Sequence, residues 1–444
     1  MSKLKKIFLF SVDNLSSIAF GIISTVFIAR TYGPENMGHL SYVQSVVSVF
    51  SFLFILGMDN IIMKEFVKTK QVNSLLASVI LIRFLGFIVF IGLVYLVGHA
   101  SDTPDNLLLP LIIAAASASF FGKSTSLRLY FQALENPKYL SIATMLSRFI
   151  AVIFIFVVLF LDLDFIYACQ YLLVYSLSSQ LILVTAYLRT TGCSMSYSLN
   201  IVEIKNRVRF LLRESYLLII SSALLPLFMY MDMIIIEHFL SAQDVGIYSA
   251  AVRLVSQVAF VGHILVFSYF KNITDEIFAG DVYGYYLNNI VRLLLYVGIS
   301  GSILTYFLAD IIILNFFGDA YVESVLILKI LIWKSVFVYL GALFSRVLIL
   351  KGLQSVELIK TLLTAAFSIS FSIFFIQKYG LIIIPIISVS AYFLADFLAY
   401  VIFKETRFMF VTVLKQIFLI FFHPFSSVRN SVFFLKDKRV PDEN

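Results

Sequence analysis

A set of ionisable side chains stands inside long apolar runs of this sequence, and these residues have chemistry to offer. The bases are Arg83, Lys123, Arg148, Arg253, Lys329 and Lys334; the acids are Asp13, Asp232 and Asp396. An ion held in hydrocarbon is costly, so such residues face a bundle interior or a wet cavity and take a partner there. The excess of bases suits an anionic ligand. Ammonium and guanidinium groups replace the water lost by a phosphate with charge-assisted hydrogen bonds, and the planar fork of Arg matches its oxygens. Each base also has a plainer reading as half of a structural ion pair; Asp232 with Arg253, on neighbouring runs, is one such pairing. The acids are either proton or ion sites or counter-charges to the bases. Lys360, Arg292 and Arg346 lie nearer the run ends and are expected to snorkel to the headgroups.

The elements that must position these residues follow from composition. Of 444 residues 61% are hydrophobic and 13% charged, against about 25% charged in a soluble domain. Twelve apolar runs have the ~20-residue length that crosses a bilayer: 7–30, 38–62, 74–98, 107–131, 139–161, 165–189, 214–236, 246–270, 285–308, 325–349, 357–377 and 380–403. The fold class is therefore an all-α polytopic membrane protein of about 12 transmembrane helices. Arg83, Arg148 and Lys334 each fall about ten residues into a run, ~15 Å deep at the helical rise and close to the midplane. Segment 408–422 is shorter and carries Lys415, which suits an interfacial amphipathic helix. The first run follows Lys3, Lys5 and Lys6 but lacks a small-x-small cleavage site, so it reads as a first span and not a signal peptide.

Little else in the chain suggests chemistry. Cys169 and Cys193 indicate neither a disulfide nor a metal site. No phosphate-binding G-x-x-x-x-G-K loop occurs, and no cofactor is called for. The 46 Phe and 24 Tyr read as packing, lipid-facing and interfacial residues, with Tyr230 as a candidate sugar contact.

Loop charges orient the runs. With a cytoplasmic N-terminus, one set of connections holds Lys64, Lys68, Lys70, Lys138, Lys205, Arg207, Arg209, Arg213, Lys271 and Lys351, and the tail holds more bases. The opposite set is acidic, with Asp102, Asp105, Asp162, Asp164, Glu237, Asp244, Asp310, Asp319 and Glu323 against Lys378. This is the positive-inside pattern with both termini cytoplasmic. The net charge of +7 is explained by basic loops facing an anionic leaflet, without a nucleic-acid partner. The expected organisation is a six-helix bundle over 1–189, a cytoplasmic linker over 190–213, a second six-helix bundle over 214–403 and a basic tail over 404–444.

A repeat supports that division. "IARTYGPENMGHLS" from Ile28 aligns with "IEHFLSAQDVGIYS" from Ile236, pairing Ile28 with Ile236, Gly38 with Gly246 and Ser41 with Ser249 at an offset of 208 residues. Shared turn chemistry alone would also produce Gly and Asn/Asp at such places. An even number of spans separates the copies, so duplicated halves would be parallel and would flank a central cavity.

The wording of these segments carries a resemblance. Asn14, the hairpin "IARTYGPENMGHLS" with Arg30, Gly33 and Gly38, the "LGMDNIIMKE" segment and the later "DVGIYSAAVRLV" with Gly246 resemble the Wzx-type O-antigen and polysaccharide flippases. These belong to the multidrug/oligosaccharidyl-lipid/polysaccharide exporter superfamily. The resemblance implies a MATE-like fold and movement of an undecaprenyl-pyrophosphate-linked oligosaccharide across the bacterial inner membrane. It also implies coupling to a proton or sodium gradient, with a polysaccharide polymerase and a chain-length regulator as further partners. The rival readings are a multidrug or cation antiporter, for which an acidic interior is expected, and a membrane polysaccharide polymerase, for which a large periplasmic loop is expected.

Overall fold

The computed structural model describes residues 3–68, 72–101, 103–123, 125–134, 137–191, 201–280 and 284–423. The side chains of Asp13, Asn14 and Lys123 lie outside the described residues. Every regular element among the described residues is helical, as lipid requires of a chain that must satisfy each backbone N–H and C=O within its own segment. Ten described stretches are long and apolar enough to cross a membrane. Two of them, Ala19–Ile55 with 37 residues and Gln354–Ile402 with 49 residues, run to roughly 55 and 73 Å, about twice a ~30 Å core.

Both long stretches break at a glycine. Helix Lys3–Phe50 is interrupted at Gly33 (φ 77, ψ 176), a conformation that costs a side-chain-bearing residue dearly. Pro34 follows, where its fixed φ and missing N–H suit the first turn of a new helix. The side-chain amide of Asn36 donates to the Tyr32 carbonyl at 3.0 Å, satisfying an acceptor left open at the break. The second interruption is at Gly380 (φ 65, ψ −157) after helix Gln354–Tyr379. Counting each as two gives the twelve segments expected from hydropathy.

The chain packs as two compact units, Met1–Ser249 with Phe316–Ala320, and Ala250–Asn315 with Tyr321–Asn444. In the first, the two repeat copies meet directly. A methyl group built on Gly38 would overlap the carbonyl oxygen of Ala242, and one built on Gly246 would overlap that of Pro34. Pro34 and Ala242 stand at the same 208-residue offset as the two glycines. The contact is therefore reciprocal, as expected of equivalent segments related by a local two-fold axis. Ser45 Oγ extends the interface by donating to Met233 Sδ at 3.1 Å. Packing thus joins the seventh span to the first six. Of 190–213, the described residues are Thr190 and Thr191, which end helix Tyr171–Thr191, and 201–213, which open helix Ile201–Phe239.

The second unit is built around Val266, Ile290, Leu294, Tyr339, Leu343, Phe344, Tyr400 and Met409. Helix Arg407–Phe422 has 16 residues, roughly 24 Å of helix and too short to cross. It seats Phe408, Met409 and Val413 in this core and leaves Phe418, Phe421 and Phe422 exposed. Arg292 does not snorkel as expected. It is 8% exposed, with Nε donating to Gln416 Oε1 at 2.8 Å and Nη1 to Asn289 Oδ1 at 3.3 Å. A docked helix supplies polar partners that a lone span lacks, so the guanidinium has no need of the headgroups.

The glycine contact sets a clear expectation. Gly38→Ala and Gly246→Ala should each cost at least about 1–3 kcal/mol, the usual range for overpacking. Gly92→Ala, whose methyl meets nothing within 4 Å, should not. Thermal midpoints in detergent decide this, and equal midpoints for G38A and G92A would show that the backbones do not touch.

Candidate functional site

In the first unit the basic side chains are held individually. Arg83, on helix Val72–His99, is 4% exposed. Its Nη2 donates to Asp59 Oδ1 at 2.6 Å, and Asp59 opens the short helix Asp59–Lys68. Arg83 Nε and Nη1 are buried and make no hydrogen bond among the described residues. A buried donor left open costs about 1–3 kcal/mol, so this guanidinium is ready for an acceptor. Arg148, half-buried on helix Pro137–Phe160, reaches the first span through Nη1 to Ser16 Oγ at 3.1 Å. Asp232 is 7% exposed and accepts from Tyr248 Oη at 2.8 Å.

The signature residues have structural duties. Gly33 breaks the first helix, Gly38 and Gly246 pass the backbone contact, and Arg30 is exposed near the break. Beside the break, a pocket of about 580 Å³ is lined by Thr31, Tyr32, Asn36, Asn106, Asp162 and Asp164 among others. None of the nominated bases lines it.

In the second unit the tenth span is discontinuous, as Glu323–Leu331 and Lys334–Leu350. Lys334 starts the second piece, its Nζ 3.2 Å from Ser388 Oγ and 4.2 Å from the centre of the Tyr392 ring. The interruption is secured by Ser302 and Ser335, whose hydroxyls both donate to the Ile332 carbonyl. Lys329, on the first piece, forms an ion pair with Asp310 at 2.6 Å, where the Asp310 side chain is 56% exposed. Arg253 lies within electrostatic reach of Tyr321; burial raises the Tyr321 phenol above its ordinary range, and the guanidinium opposes that shift.

Lys360 was expected to snorkel. It is instead 3% exposed, with Nζ at 2.7 Å from Asp396 Oδ1 and 3.1 Å from Glu357 Oε2. Arg346 is half-buried and donates from Nη1 to the Ala342 carbonyl of its own helix at 2.5 Å. Lys123 and Asp396 both belong to π-helical turns, Ser119–Lys123 and Leu394–Leu398, an uncommon geometry that recurs at functional positions.

Comparison with known proteins fits this architecture. A family model for polysaccharide biosynthesis proteins matches residues 3–266, more than half of the chain. The chain belongs to the polysaccharide biosynthesis protein family. A comparison with curated proteins gave no match. Among solved structures, the chain is similar to the lipid II flippase MurJ in an inward closed conformation, with TM-score 0.71, 15% identity and 96% of each chain covered. It is also similar to an inward-facing MATE family multidrug resistance transporter of the MOP superfamily, with TM-score 0.63, 12% identity and coverage of 92% of this chain and 99% of that one. A third is a MOP superfamily transporter from Pyrococcus furiosus, described as having a binding pocket of reverse polarity, at TM-score 0.56, 11% identity and coverage of 94% and 95%. The fold is therefore MATE- and MurJ-like, that of an all-helical multi-pass membrane protein.

For this family member the two ion pairs should behave differently. Asp59→Asn strips the buried Arg83 of its counter-charge and should cost about 1–3 kcal/mol. A double variant with Arg83→Gln should recover much of that loss. Lys329→Gln, in an exposed pair, should leave the thermal midpoint unchanged. Equal effects of D59N and K329Q would contradict the assigned burial.

Proposed function

We propose that the protein carries an undecaprenyl-pyrophosphate-linked oligosaccharide from the cytoplasmic to the periplasmic face of a bacterial inner membrane, with both termini cytoplasmic. It does so by exposing its intramembrane bases alternately to the two sides. The single observation that carries the reading is Arg83: a buried guanidinium at span depth with two open donors in a polysaccharide biosynthesis protein. A pyrophosphate must be desolvated to cross, and donors that are already buried accept it with little further desolvation of their own. Arg148, also about midway along its span, supplies additional positive charge in the first unit, and the second unit has bases of its own in Lys334 and Arg253. A glycan offers hydroxyls to the polar lining, while a polyprenyl tail is soluble in the surrounding lipid. The basic excess argues against a cation as cargo.

The test is complementation of a strain lacking its own flippase. The intact chain should restore surface polysaccharide and clear lipid-linked oligosaccharide from the inner face. Arg83→Gln, Arg148→Gln and Lys334→Gln, expressed at normal levels, should each lower export at least several-fold. Full export by all three would remove the basis of the proposal.

A further inference from the structure

The Lys360 cluster has no task in binding an anion, because its charge has the opposite sign. Two carboxylates, Glu357 and Asp396, share one ammonium, at 3.1 and 2.7 Å. Tyr400 Oη lies 2.9 Å from the same nitrogen. With both acids ionised the group carries a net charge of −1, in a place where its side chains are only 3% (Lys360), 11% (Asp396) and 31% (Glu357) exposed. An uncompensated charge in such surroundings is costly, and one proton on a carboxylate oxygen neutralises it.

The geometry selects the ligand. A metal cation bridging the two carboxylates would need the place that Lys360 Nζ already fills, whereas a proton needs no room of its own. Neighbouring elements are shaped around the cluster. Gly341, on the tenth span, has no side chain where the Asp396 carboxylate lies, and a methyl there would overlap it. Ser345 Oγ, one turn further along the same helix, donates to Glu357 Oε1 at 2.9 Å. The other titratable groups nearby are Arg346, directed to the Ala342 carbonyl, and His263 on the eighth span, within electrostatic reach of Arg346. Lys360 is the seventh residue of helix Gln354–Tyr379, ~9 Å from its start, and Glu357 lies about one turn nearer that start.

We propose that Glu357, Lys360 and Asp396 form an exchangeable proton-binding site of the second unit, with Glu357 as its opening to water. The proton passes from hydronium to a carboxylate oxygen and leaves by the same exchange; the Lys360 ammonium keeps its own protons and holds the two acids together. That this proton drives transport rests on the transporter reading above; the existence of the site does not.

Infrared titration of the purified full chain in lipid nanodiscs reads the site directly, through the C=O stretch of a protonated carboxyl. A band should grow in as pH falls, at fixed low sodium, and should be lost in Glu357→Gln or in Asp396→Asn, both near-isosteric. Lys360→Met, which removes the positive charge, should move the titration to higher pH by at least about one unit. An unchanged band in both acid variants would overturn the proposal. So would a band that responds to added sodium at constant pH, which would make the site a metal-cation site. Loss of the band with retained complementation by E357Q and D396N would keep the site and sever it from transport, whereas failed complementation by the unmodified chain would strike the transport reading alone.

Discussion

Two backbone strips that touch without side chains between them anchor the first unit. Helices that approach this closely need small residues at the crossing, since in lipid there is no hydrophobic force to press them together and packing must supply the attraction. Gly38 over Ala242 and Gly246 over Pro34 supply it twice, once in each direction. The reciprocity matters more than the closeness. One tight contact could be an accident of two sequences, but two contacts related by the same 208-residue offset are what duplicated segments would give. The break at Gly33 and the Ser241–Asp244 hydrogen bonds that start helix Ala242–Ser268 bring each copy to the crossing in the same pose.

The ionisable residues in the spans divide by what surrounds them. Asp310–Lys329 is a partly exposed pair and contributes little to stability. Arg292 is absorbed by Gln416 and Asn289, so its role is to fasten the last helix to the core. Arg83 differs, because one carboxylate meets only part of its fork and the rest finds no acceptor among the described residues. The Lys360 cluster is the inverse case, with more acid than base. One protein thus holds a buried cation with spare donors in one unit and a buried net negative charge in the other, and these suit different ligands.

Much of the fold was legible in the sequence, because membrane crossing is a matter of length and polarity. The run boundaries locate the helices, and the gaps after 30 and after 377 fall at the two breaks, which the structure places at Gly33 and Gly380. The site was legible only in part. Lys360 reads as a headgroup residue because it lies three residues from a run end, and a lysine stem is long enough to reach out. What held it in was Asp396, 36 residues away on the next span. A signal was present: Glu357 and Lys360 stand three apart, Asp396 and Tyr400 four apart, so each span offers one polar face at that depth. Reading those faces as partners requires knowing which spans are neighbours.

The sequence by itself determined that the chain crosses a membrane about twelve times, that its interior favours bases over acids, and that an early hairpin recurs 208 residues later. These are properties of residues and their spacing, and no packing can alter them. Only the tertiary structure decided which charges meet. The cost of an arginine in hydrocarbon is set by its depth along a span, but whether a buried one becomes a fastener or keeps donors open depends on the neighbouring helix. That choice is made by contacts between residues distant in the chain, such as Arg292 with Gln416 and Lys360 with Asp396.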